Sequence, residues 1–543
     1  MTKTLPAARF TRNAPRMCIT DAYTACAGSF DSQEARDYSC YYMTFRRFMA
    51  PAPNALNRHP PFNEGDHRFV FFGLRPIIER LLLRPVTHAE IDEAKSFYAN
   101  RKAMSNGTFE DFEFEEVLWR RVVDEFEGFI PISIDAFPEG STFYPNEPMI
   151  RVRNTVKGFG PLAAWFEASY MKVWNASQRG TMNRHWLDRV RERIKRTEAD
   201  ISDQMLDIWS RVFCHDFSAR ATATDEENAH CATYDLMIFH GSDTFHGAYY
   251  AWLDGAPNHI GNSVWAGAHH SVQGFKHEAD FYETIYNNAP NNAIISMIGD
   301  CYDWDAAVEN HLFRLALRSQ AEGNGKIVVG RPDSSENFTE KVEQMLRWCR
   351  RAVELGLYTE KKGSDGRMYK FATFARMIQG DSMTHTEMTA IDEEMIAEGF
   401  APHGWYVYGL GGYRVRSINR DTASTKYALY AVGKDRTPVI KLSMVEGKRT
   451  RPYCKVIRTP EAIGTGVTVV GWDEPGEDIM IPYYNGESDT PFQEGFLEKF
   501  ESIARRVNED FTTMPLKAGR MSDSLRALSE SIATLHLSEN KKN

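Results

Sequence analysis

Paired cysteines, long apolar runs and an excess of basic residues are all missing from this 543-residue chain. The eight cysteines are scattered, and no two have C-x-x-C spacing. This argues against a disulfide scaffold or a cysteine-based zinc site and favours a reducing compartment. No apolar run approaches the roughly 18 residues that a membrane-spanning helix needs. We therefore expect a cytoplasmic protein with no membrane role.

The charge balance is acidic, at −10 overall. Broad nucleic-acid binding normally requires a basic face, so we expect no nucleic-acid partner. A local pocket of arginine and lysine could still hold phosphates. With 42% hydrophobic and 25% charged residues, the composition is that of an ordinary globular enzyme. The length leaves room for two or three domains.

Changes in local pattern divide the chain into five parts. We expect a flexible lead (1–16), an N-terminal α+β domain (17–175), an α/β barrel (176–425), a C-terminal part that completes the α+β domain (426–513) and a tail (514–543). The N-terminal domain carries helical patterns at 77–83 and 90–97 and a strand pattern at 130–137. In the tail, a helical face that predicts packing on the body contains Leu525, Leu528, Ile532 and Leu535.

Seven short apolar runs follow one another from about residue 200, and each ends in small, charged or histidine residues. The predicted strands are 212–214, 236–239, 263–268, 293–298, 327–329, 377–378 and 405–408. Helical patterns fill several gaps, at 305–320, 339–355 and 386–398. Strand, polar loop and helix repeated at about 30 residues are typical of a βα-barrel, whose active site is built from the loops after the strands.

Two of these strand-end loops suggest phosphate and sugar binding. Gly411 and Gly412 would let bare backbone N–H groups approach a phosphate, although they form neither a Rossmann fingerprint nor a P-loop. Arg331 and Asp333 flank a proline. The carboxylate suits the two hydroxyls of a ribose and the guanidinium suits a phosphate. The simpler alternative for this pair is a local ion pair of little energetic consequence.

Other strand ends carry histidine, aspartate and phenylalanine. His269 and His270 lack metal-site spacing, which favours a general base or a phosphate acceptor over zinc. Asp300 and Asp381 each follow a glycine and could orient a hydrated magnesium ion. Phe217 stands among polar residues, which favours a stacking role over an ordinary place in the core.

The order of these motifs resembles that of the nicotinamide phosphoribosyltransferases over about residues 17–500. The matching segments are ITDAY (19–23), VFFGL (70–74), PEG (138–140), HDFSAR (215–220), FHGSDT (239–244), HHS (269–271), GDCYD (299–303), GRPDS (330–334), IQGD (378–381), GLGG (409–412) and RD (420–421). The HDF-x-x-R segment with the later G-S-D-T points to the branch that uses the amide.

The resemblance implies a fold and a reaction. The fold would be α/β, an irregular βα-barrel of the type II phosphoribosyltransferases with an α+β domain built from the N- and C-terminal parts. The reaction would convert nicotinamide and phosphoribosyl pyrophosphate to nicotinamide mononucleotide and pyrophosphate, in NAD salvage. Mg²⁺ would assist, ATP hydrolysis could be coupled through a phosphohistidine at His270, and a homodimer would share its active sites.

The resemblance also assigns roles to individual residues. His270, Arg331 and Asp333 would be catalytic. The pyridine ring would lie between Phe217 and Tyr23 of the partner subunit, with Arg220 on the carboxamide oxygen and Asp243 on its NH₂. The other substrate contacts would come from Arg46, Asp300, Gly380, Asp381, Gly411, Gly412, Arg420 and Lys426. No protein side chain is assigned as a metal ligand.

The chain departs from the family pattern at three positions, and other functions stay open at this point. His269 stands where an acid is usual, and Ser335 and Tyr413 stand where glycine is usual. One alternative is a nicotinate phosphoribosyltransferase. A metal-dependent barrel hydrolase would need H-x-H at the first strand, where the chain has His215-Asp216-Phe217. A non-catalytic binding protein that keeps the fold is the third.

Overall fold

The computed structural model describes residues 13–49, 62–412, 415, 417–443 and 449–539. Most of the lead predicted at 1–16 lies outside these residues, as does Tyr413. Arg16, which the prediction assigned to that lead, is buried and forms an ion pair with Glu90, 2.5 Å from Nη2 to Oε2. At least this residue of the predicted lead is therefore packed in the structure.

Helices and short strands alternate in the first part of the chain. The elements are α1 (Ala22–Phe30), α2 (Gln33–Asp37), β1 (Ser39–Phe45), β2 (Phe69–Val70), α3 (Leu74–Leu82), α4 (His88–Ala99), β3 (Lys102–Ser105), β4 (Thr108–Asp111), α5 (Glu116–Phe126), β5 (Ile132–Ala136), β6 (Thr142–Phe143), β7 (Ile150–Asn154), α6 (Gly160–Trp165) and α7 (Glu167–Tyr170). The predicted helices at 77–83 and 90–97 correspond to α3 and α4, and the predicted strand at 130–137 to β5.

The middle of the chain alternates strands and helices. The elements are α8 (Val173–Thr197), α9 (Asp203–Arg211), β8 (Cys214–Asp216), α10 (Asp225–Asp235), β9 (Gly241–Ser242), α11 (Phe245–Leu253), β10 (Trp265–Ala266), α12 (His269–Gln273), α13 (Glu278–Asn288), β11 (Ile294–Ile298), α14 (Trp304–Ala307), α15 (Phe313–Glu322), β12 (Ile327–Arg331), α16 (Phe338–Glu354), β13 (Tyr358–Lys362), β14 (Met368–Ala372), β15 (Ala375–Gln379), α17 (His385–Ala397), α18 (Pro402–Trp405) and β16 (Tyr406–Leu410). A π-helical turn, Val308–Leu312, joins α14 to α15.

The last part of the chain returns to short strands and ends in two longer helices. The elements are β17 (Thr425–Val432), β18 (Thr437–Pro438), β19 (Cys454–Val456), α19 (Pro460–Thr465), β20 (Val467–Gly471), β21 (Ile481–Asn485), α20 (Glu494–Leu497), α21 (Phe500–Thr513), β22 (Arg520–Met521) and α22 (Asp523–Glu539). None of the helices within the described residues combines the length and apolarity needed to cross a bilayer.

An antiparallel sheet combines strands from both ends of the chain, in the order β18-β17-β1-β7-β5-β21. At its centre β1 pairs with β17, and this register sets Thr44 opposite Lys426. Met43, Ile134 and Val152 from three of its strands are buried in one apolar core. The sheet therefore has the composition predicted for the α+β part, with strands from 39–154 and from 425–485.

A parallel sheet is formed by the middle of the chain, in the order β10-β11-β12-β15-β16-β8-β9. The last of these strands in the sequence, β16, pairs in parallel with the first, β8. This is the cyclic strand order of a barrel opened between β9 and β10. The chain thus has an α/β fold with a parallel half-barrel sheet, in agreement with the predicted class.

The sequence forms this parallel sheet because its strands are apolar runs that are buried under the covering helices. Ile295, Met297 and Ile298 of β11 and Val328 of β12 are buried, as expected for strands covered by helices on parallel sheets. The covering helices begin at definite caps. Asn337 caps α16, and Thr384 with Glu387 forms a capping box on α17, so each helix starts close behind a strand-end loop.

Two of the predicted elements are wrong, and several elements, including α8 and the β13–β14 hairpin, were not anticipated. Residues 236–239 are not a strand but a buried turn after α10, and the strand is Gly241–Ser242. A short buried apolar run does not by itself distinguish a strand from a helix end. The first strand includes His215 and Asp216 rather than ending before them. The hairpin of β13 and β14 was missed because most of β13 is exposed and polar.

The helix predicted in the tail is α22, but its apolar face is only partly covered. Leu525 is buried in a small cluster with Cys454 and Val469. Leu528 and Leu535 are 39% and 55% exposed. The helix therefore contacts the body through its first turn and does not pack along its length.

Candidate active site

The candidate residues of the middle segment meet at the carboxyl ends of the parallel strands. The register sets Leu410 opposite Asp216 and Ile298 opposite Arg331. Arg331 is the last residue of β12, and Asp300 follows β11 by two residues. Because the strands are parallel, the loops after them share one edge of the sheet, where ligands bind in folds of this class.

Phe217 lies over a floor of glycines at this edge. Its N–H donates to the Leu410 carbonyl at 2.9 Å. A Cβ on Gly409 would overlap the phenyl ring, and one on Gly380 would lie 3.3 Å from it. The bare backbone at these two positions therefore lets the ring lie flat against the strand ends. Gly380 thus leaves room for the Phe217 ring, and its role in phosphate binding stays a prediction.

Arg331 lies between Phe217 and Asp333. Its guanidinium carbon is 5.3 Å from the centroid of the Phe217 ring. Its Nη2 donates to both Asp333 carboxylate oxygens, at 3.1 and 3.2 Å. The Arg331 Nε is buried and has no hydrogen-bond partner among the described residues. A buried donor of a charged group seldom stays unpaired in proteins, which makes this atom a candidate for pairing with a ligand or water.

Asp300 connects this pair to the histidines. Its Oδ2 accepts from the backbone N–H of Asp333 at 3.1 Å. Its Oδ1 lies 3.2 Å from Nε2 of His269. The predicted residue, His270, is exposed, and its side chain forms no hydrogen bond or ion pair with a described residue. The structure therefore brings His269, which the sequence interpretation treated as secondary, to the carboxylate.

Asp243 follows β9 and is surrounded by donors. Ser263 Oγ donates to its Oδ1, and its Oδ2 lies 3.7 Å from Nδ1 of His215. Burial alone would raise the pKa of the Asp243 carboxyl. The His215 ring, the Ser263 hydroxyl and the Arg331 charge outweigh burial and lower that pKa. Asp243 is therefore an anion at neutral pH, while Arg220 nearby in the sequence is exposed.

The loop after β15 is tied to the Ser-rich loop after β12. Ser335 Oγ donates to Asp381 Oδ2 at 2.6 Å, and the Asp381 N–H donates to Gln379 Oε1 at 3.0 Å. Ser335, noted as a departure from the usual glycine, thus has a structural contact. Ser382 adopts a φ of 51°, in the left-handed region that few non-glycine residues occupy. Gly411 and Gly412 follow the neighbouring strand, β16, and are half-buried.

A second group of candidate residues lies on the antiparallel sheet. Arg46 follows β1, and Lys426 lies on the paired strand β17. Burial, followed by the charges of Arg46, Lys441 and Arg451, lowers the pKa of Lys426 to about 7. Burial and the charge of Arg420 likewise lower the pKa of Arg46. Burial and mutual repulsion therefore act on a cluster of cations, in which Arg420 has Asp421 as a counter-ion, 2.9 Å from Nη1 to Oδ1.

Tyr23 belongs to this second group. Its side chain on α1 is 65% exposed. The carboxylate of Glu167 acts electrostatically on Tyr23, and Arg420 acts on Glu167 in turn. Among the described residues, no hydrogen bond, ion pair or ring contact joins the second group to the strand-end group around Phe217. Within one chain the candidate residues therefore form two groups that are not in direct contact.

The carboxylates at the strand ends do not form a metal cage. No group of three His, Cys, Asp or Glu side chains suited to a metal ion occurs in the described part of the chain. Asp300, Asp333 and Asp381 each already accept hydrogen bonds.

Several residues of the site were not identified from the sequence. Ser263 lies twenty positions beyond Asp243, and its contact depends on how β9 and β10 are placed. Arg179 of α8 forms an ion pair with Asp216, the last residue of β8, with 3.7 Å between Nη2 and Oδ1. One sequence signal for these two site residues is their position, because Ser263 begins the apolar run at 263–268 and His269 directly follows it.

Comparisons with known proteins identify the family of this chain. A model of the nicotinate phosphoribosyltransferase (NAPRTase) family matches residues 212–452. A nicotinamide phosphoribosyltransferase of Xanthomonas campestris pv. campestris (strain 8004) is 31% identical over 365 residues, which are 66% of this chain and 72% of that protein. This chain belongs to the nicotinate phosphoribosyltransferase family. It is accordingly an enzyme, a phosphoribosyltransferase.

Other members of the family are similar at lower identity. A nicotinamide phosphoribosyltransferase of Acinetobacter baylyi is 26% identical over 389 residues, covering 66% of this chain and 72% of that protein. The crystal structure of human nicotinic acid phosphoribosyltransferase is similar with a TM-score of 0.54, at 14% identity, over 95% of this chain and 99% of that one. At this identity the structural likeness shows the fold alone.

Proposed function

We propose that this phosphoribosyltransferase joins nicotinamide to phosphoribosyl pyrophosphate, giving nicotinamide mononucleotide and pyrophosphate in NAD salvage. The observation that carries the proposal is the strand-end group. Phe217 offers a ring face, Asp243 an anionic acceptor, and Arg331 a buried Nε without a partner beside the Asp333 carboxylate. The names of the relatives support the same reaction.

Nicotinamide fits this site better than nicotinate because of Asp243. The carboxamide NH₂ can donate to an ionised carboxylate, whereas the carboxylate of nicotinate would meet a like charge. Ser263 and His215 hold the acceptor in place. Arg220, exposed one turn after Phe217, is the proposed donor to the carboxamide oxygen. Phe217 would stack on the ring from one side, and Tyr23 of the partner subunit from the other.

The ribose and phosphate would lie along the neighbouring loops. Asp333 would accept from the sugar hydroxyls, and Arg331 Nε would donate to a phosphate oxygen. Backbone near Gly411, Gly412 and Asp381 would line the phosphate pocket. The pyridine nitrogen attacks the anomeric carbon as the bond to pyrophosphate breaks, so charge builds on the leaving oxygens.

We propose that the cation cluster receives this leaving group across a homodimer. Arg46, Arg420 and Lys426 lie apart from the strand-end group of their own chain. A twofold dimer would set the cluster and Tyr23 of one subunit against the strand ends of the other. Bound Mg²⁺ would neutralise charge on the pyrophosphate. The eight free cysteines suit a cytoplasmic enzyme.

A direct assay tests the proposal. Purified protein is incubated with phosphoribosyl pyrophosphate, Mg²⁺ and either nicotinamide or nicotinate, with no ATP, and the nucleotide and pyrophosphate are quantified. We expect nicotinamide mononucleotide and pyrophosphate in equal amounts. A chain that forms nicotinate mononucleotide faster is a nicotinate phosphoribosyltransferase. A chain that forms neither nucleotide contradicts the proposal altogether.

A further inference from the structure

A buried cation lies behind the part of the site that is assigned to the base. The side chain of Arg179, on α8, is only 1% exposed. Its Nη2 pairs with the Asp235 carboxylate at the end of α10 and donates to Ser218 Oγ at 3.3 Å. The same nitrogen lies 3.7 Å from Oδ1 of Asp216, the last residue of β8. One guanidinium therefore joins α10, the end of β8 and the loop that follows β8.

Asp216 is the residue that connects the two proposed contacts of the base. Its backbone carbonyl accepts the N–H of Asp243 at 3.0 Å and the hydroxyl of Thr244 at 3.3 Å. Its side chain accepts the N–H of Ser218 at 3.2 Å and so spans Phe217, the residue between them. A displacement of Asp216 would therefore move both the Phe217 ring and the loop that carries Asp243.

Burial makes Arg179 the shared counter-ion of two carboxylates. The side chains of Asp216 and Asp235 are 2% and 4% exposed. Burial alone would lower the pKa of Arg179, but the charges of Asp235 and Asp216 outweigh burial and raise that pKa. The guanidinium is therefore charged at neutral pH. Removing one member of such a buried group leaves an uncompensated charge, and the loops around it must move to relieve that charge.

We infer that Arg179 is a positioning residue that acts through Asp216. It holds the Phe217 ring and the Asp243 carboxylate at the separation that a nicotinamide ring and its carboxamide require. The inference rests on the proposed function, in which the base stacks on Phe217 and its NH₂ group donates to Asp243. Arg179 is too deeply buried to contact the base itself. Its effect is therefore on the binding and orientation of the base and not on the binding of phosphoribosyl pyrophosphate.

Conservative variants at the two ends of this contact test the role. Arg179→Lys keeps the positive charge but replaces a planar fork of donors with one ammonium group, which cannot reach the same partners in the same geometry. Asp216→Asn keeps an oxygen for the Ser218 N–H but removes the charge that faces Arg179. We expect each variant to raise the KM for nicotinamide by about fivefold or more, with the KM for phosphoribosyl pyrophosphate within about twofold of wild type.

The preference between bases is a readout that a purely structural role would not change. A variant that only unfolds more easily loses active enzyme and keeps its KM values and its preference. If Arg179 orients the carboxamide toward Asp243, the ratio of kcat/KM for nicotinamide to that for nicotinate should fall by about threefold or more in Arg179→Lys. Since both variants weaken one contact, the double variant should be little worse than either single variant. Initial rates on the folded proteins measure these quantities.

Arg184→Lys is the matched control. Arg184 lies on the same helix, is likewise 1% exposed and pairs with Asp188. Its guanidinium carbon is 4.5 Å from the centroid of the Phe511 ring, on α21. We expect this variant to lower the melting temperature and to keep the wild-type KM values and the wild-type preference between bases.

The outcomes separate this inference from the proposed function. Wild-type KM values and preference in folded Arg179→Lys overturn the inference. If that variant does not fold, the same result in Asp216→Asn overturns it, and so do additive effects in the double variant or an equal loss of preference in Arg184→Lys. A wild-type enzyme that makes no nicotinamide mononucleotide contradicts the proposed function. An active wild type whose variants bind the base equally well contradicts only the positioning role.

Discussion

At the scale of single residues, we assign the choice between nicotinamide and nicotinate to Asp243. Its pKa is lowered by His215, Ser263 and Arg331 against the effect of burial, so the carboxylate is charged when the ligand arrives. We expect Asp243→Asn to reduce the ratio of kcat/KM for nicotinamide to that for nicotinate by about tenfold or more, because like-charge repulsion is removed. Initial rates with each base measure this ratio.

The matched change for Asp243 is Asp305→Asn, at an exposed acid on α14. It should leave the ratio unaltered. An Asp243→Asn enzyme with the wild-type ratio would show that the base is chosen elsewhere.

Lys426 gives a pH dependence to pyrophosphate binding. Its pKa is lowered to about 7, so its positive charge is present below that pH and is lost as pH rises through it. A bound polyanion favours the charged form and raises the pKa again. We therefore expect binding between about pH 7 and 8 to take up a proton at Lys426. Calorimetry in two buffers of different ionisation enthalpy measures that uptake.

The control for this experiment is Lys426→Met, which has no charge to gain. Comparing the two proteins cancels the protons that pyrophosphate itself takes up. Equal proton uptake by the wild type and the variant would mean that Lys426 does not titrate on binding.

Residue identities could be predicted from sequence better than their pairings. The strand-end positions of Asp243, Asp300, Arg331 and Asp333 followed from motif order alone. The partner of Asp300 did not, because choosing between two adjacent histidines depends on the backbone turn at the start of α12. Ser263 was missed for the same reason, since its contact lies between loops and not along one strand.

At the scale of elements, the close approach of β16 to Phe217 is the feature most sensitive to change. A Cβ on Gly409 would overlap the ring. We expect Gly409→Ala to cost about 1–3 kcal/mol of stability through overpacking. The displaced ring should also raise KM for nicotinamide. Thermal unfolding and steady-state kinetics measure the two effects.

Gly464→Ala is the matched control for that change. A Cβ at Gly464, in α19, has nothing within 4 Å, so alanine should be neutral or slightly stabilising. If Gly409→Ala behaves like Gly464→Ala, the glycine floor under Phe217 does not position the ring.

The type of an element could be predicted where an apolar pattern extends over several helical turns. It could not be predicted where the apolar run is only a few residues long. The helices at 339–355 and 386–398 match α16 and α17, which carry several turns of apolar pattern and clear caps. Residues 236–239 were wrongly predicted as a strand because four buried apolar residues carry no period. The strand that exists there is the two-residue β9, and its pairing with β8 is a tertiary feature.

At the scale of the whole molecule, the homodimer that we propose predicts complementation between subunits. Arg420→Ala damages the cation cluster and Asp333→Ala damages the strand ends, so each variant alone should be nearly inactive. In a mixed dimer one of the two sites would keep both halves. When only mixed dimers are assayed, activity should return to about half of the wild-type value.

Co-expression of the two variants with different tags, followed by assay of the doubly purified protein, measures this recovery. A mixture of two Asp333→Ala chains carrying the same tags provides the baseline. If activity stays at that baseline in mixed dimers, each chain completes its own site.

The order of the strands within the two large sheets could be predicted from the sequence only in outline. The repeat of about 30 residues indicated parallel strands, and the strand order confirms an α/β half-barrel. The joining of β1 to β17 across nearly four hundred residues was expected only from the resemblance. No local pattern encodes such a pairing, because it depends on where the intervening segment returns the chain.

The central claim is that this phosphoribosyltransferase uses nicotinamide, and the most direct test is the ratio of kcat/KM for nicotinamide to that for nicotinate. Both are measured in the wild-type enzyme at saturating phosphoribosyl pyrophosphate and Mg²⁺. The charge held on Asp243 predicts a ratio well above one, by about tenfold or more. A ratio below one would contradict this account of the site.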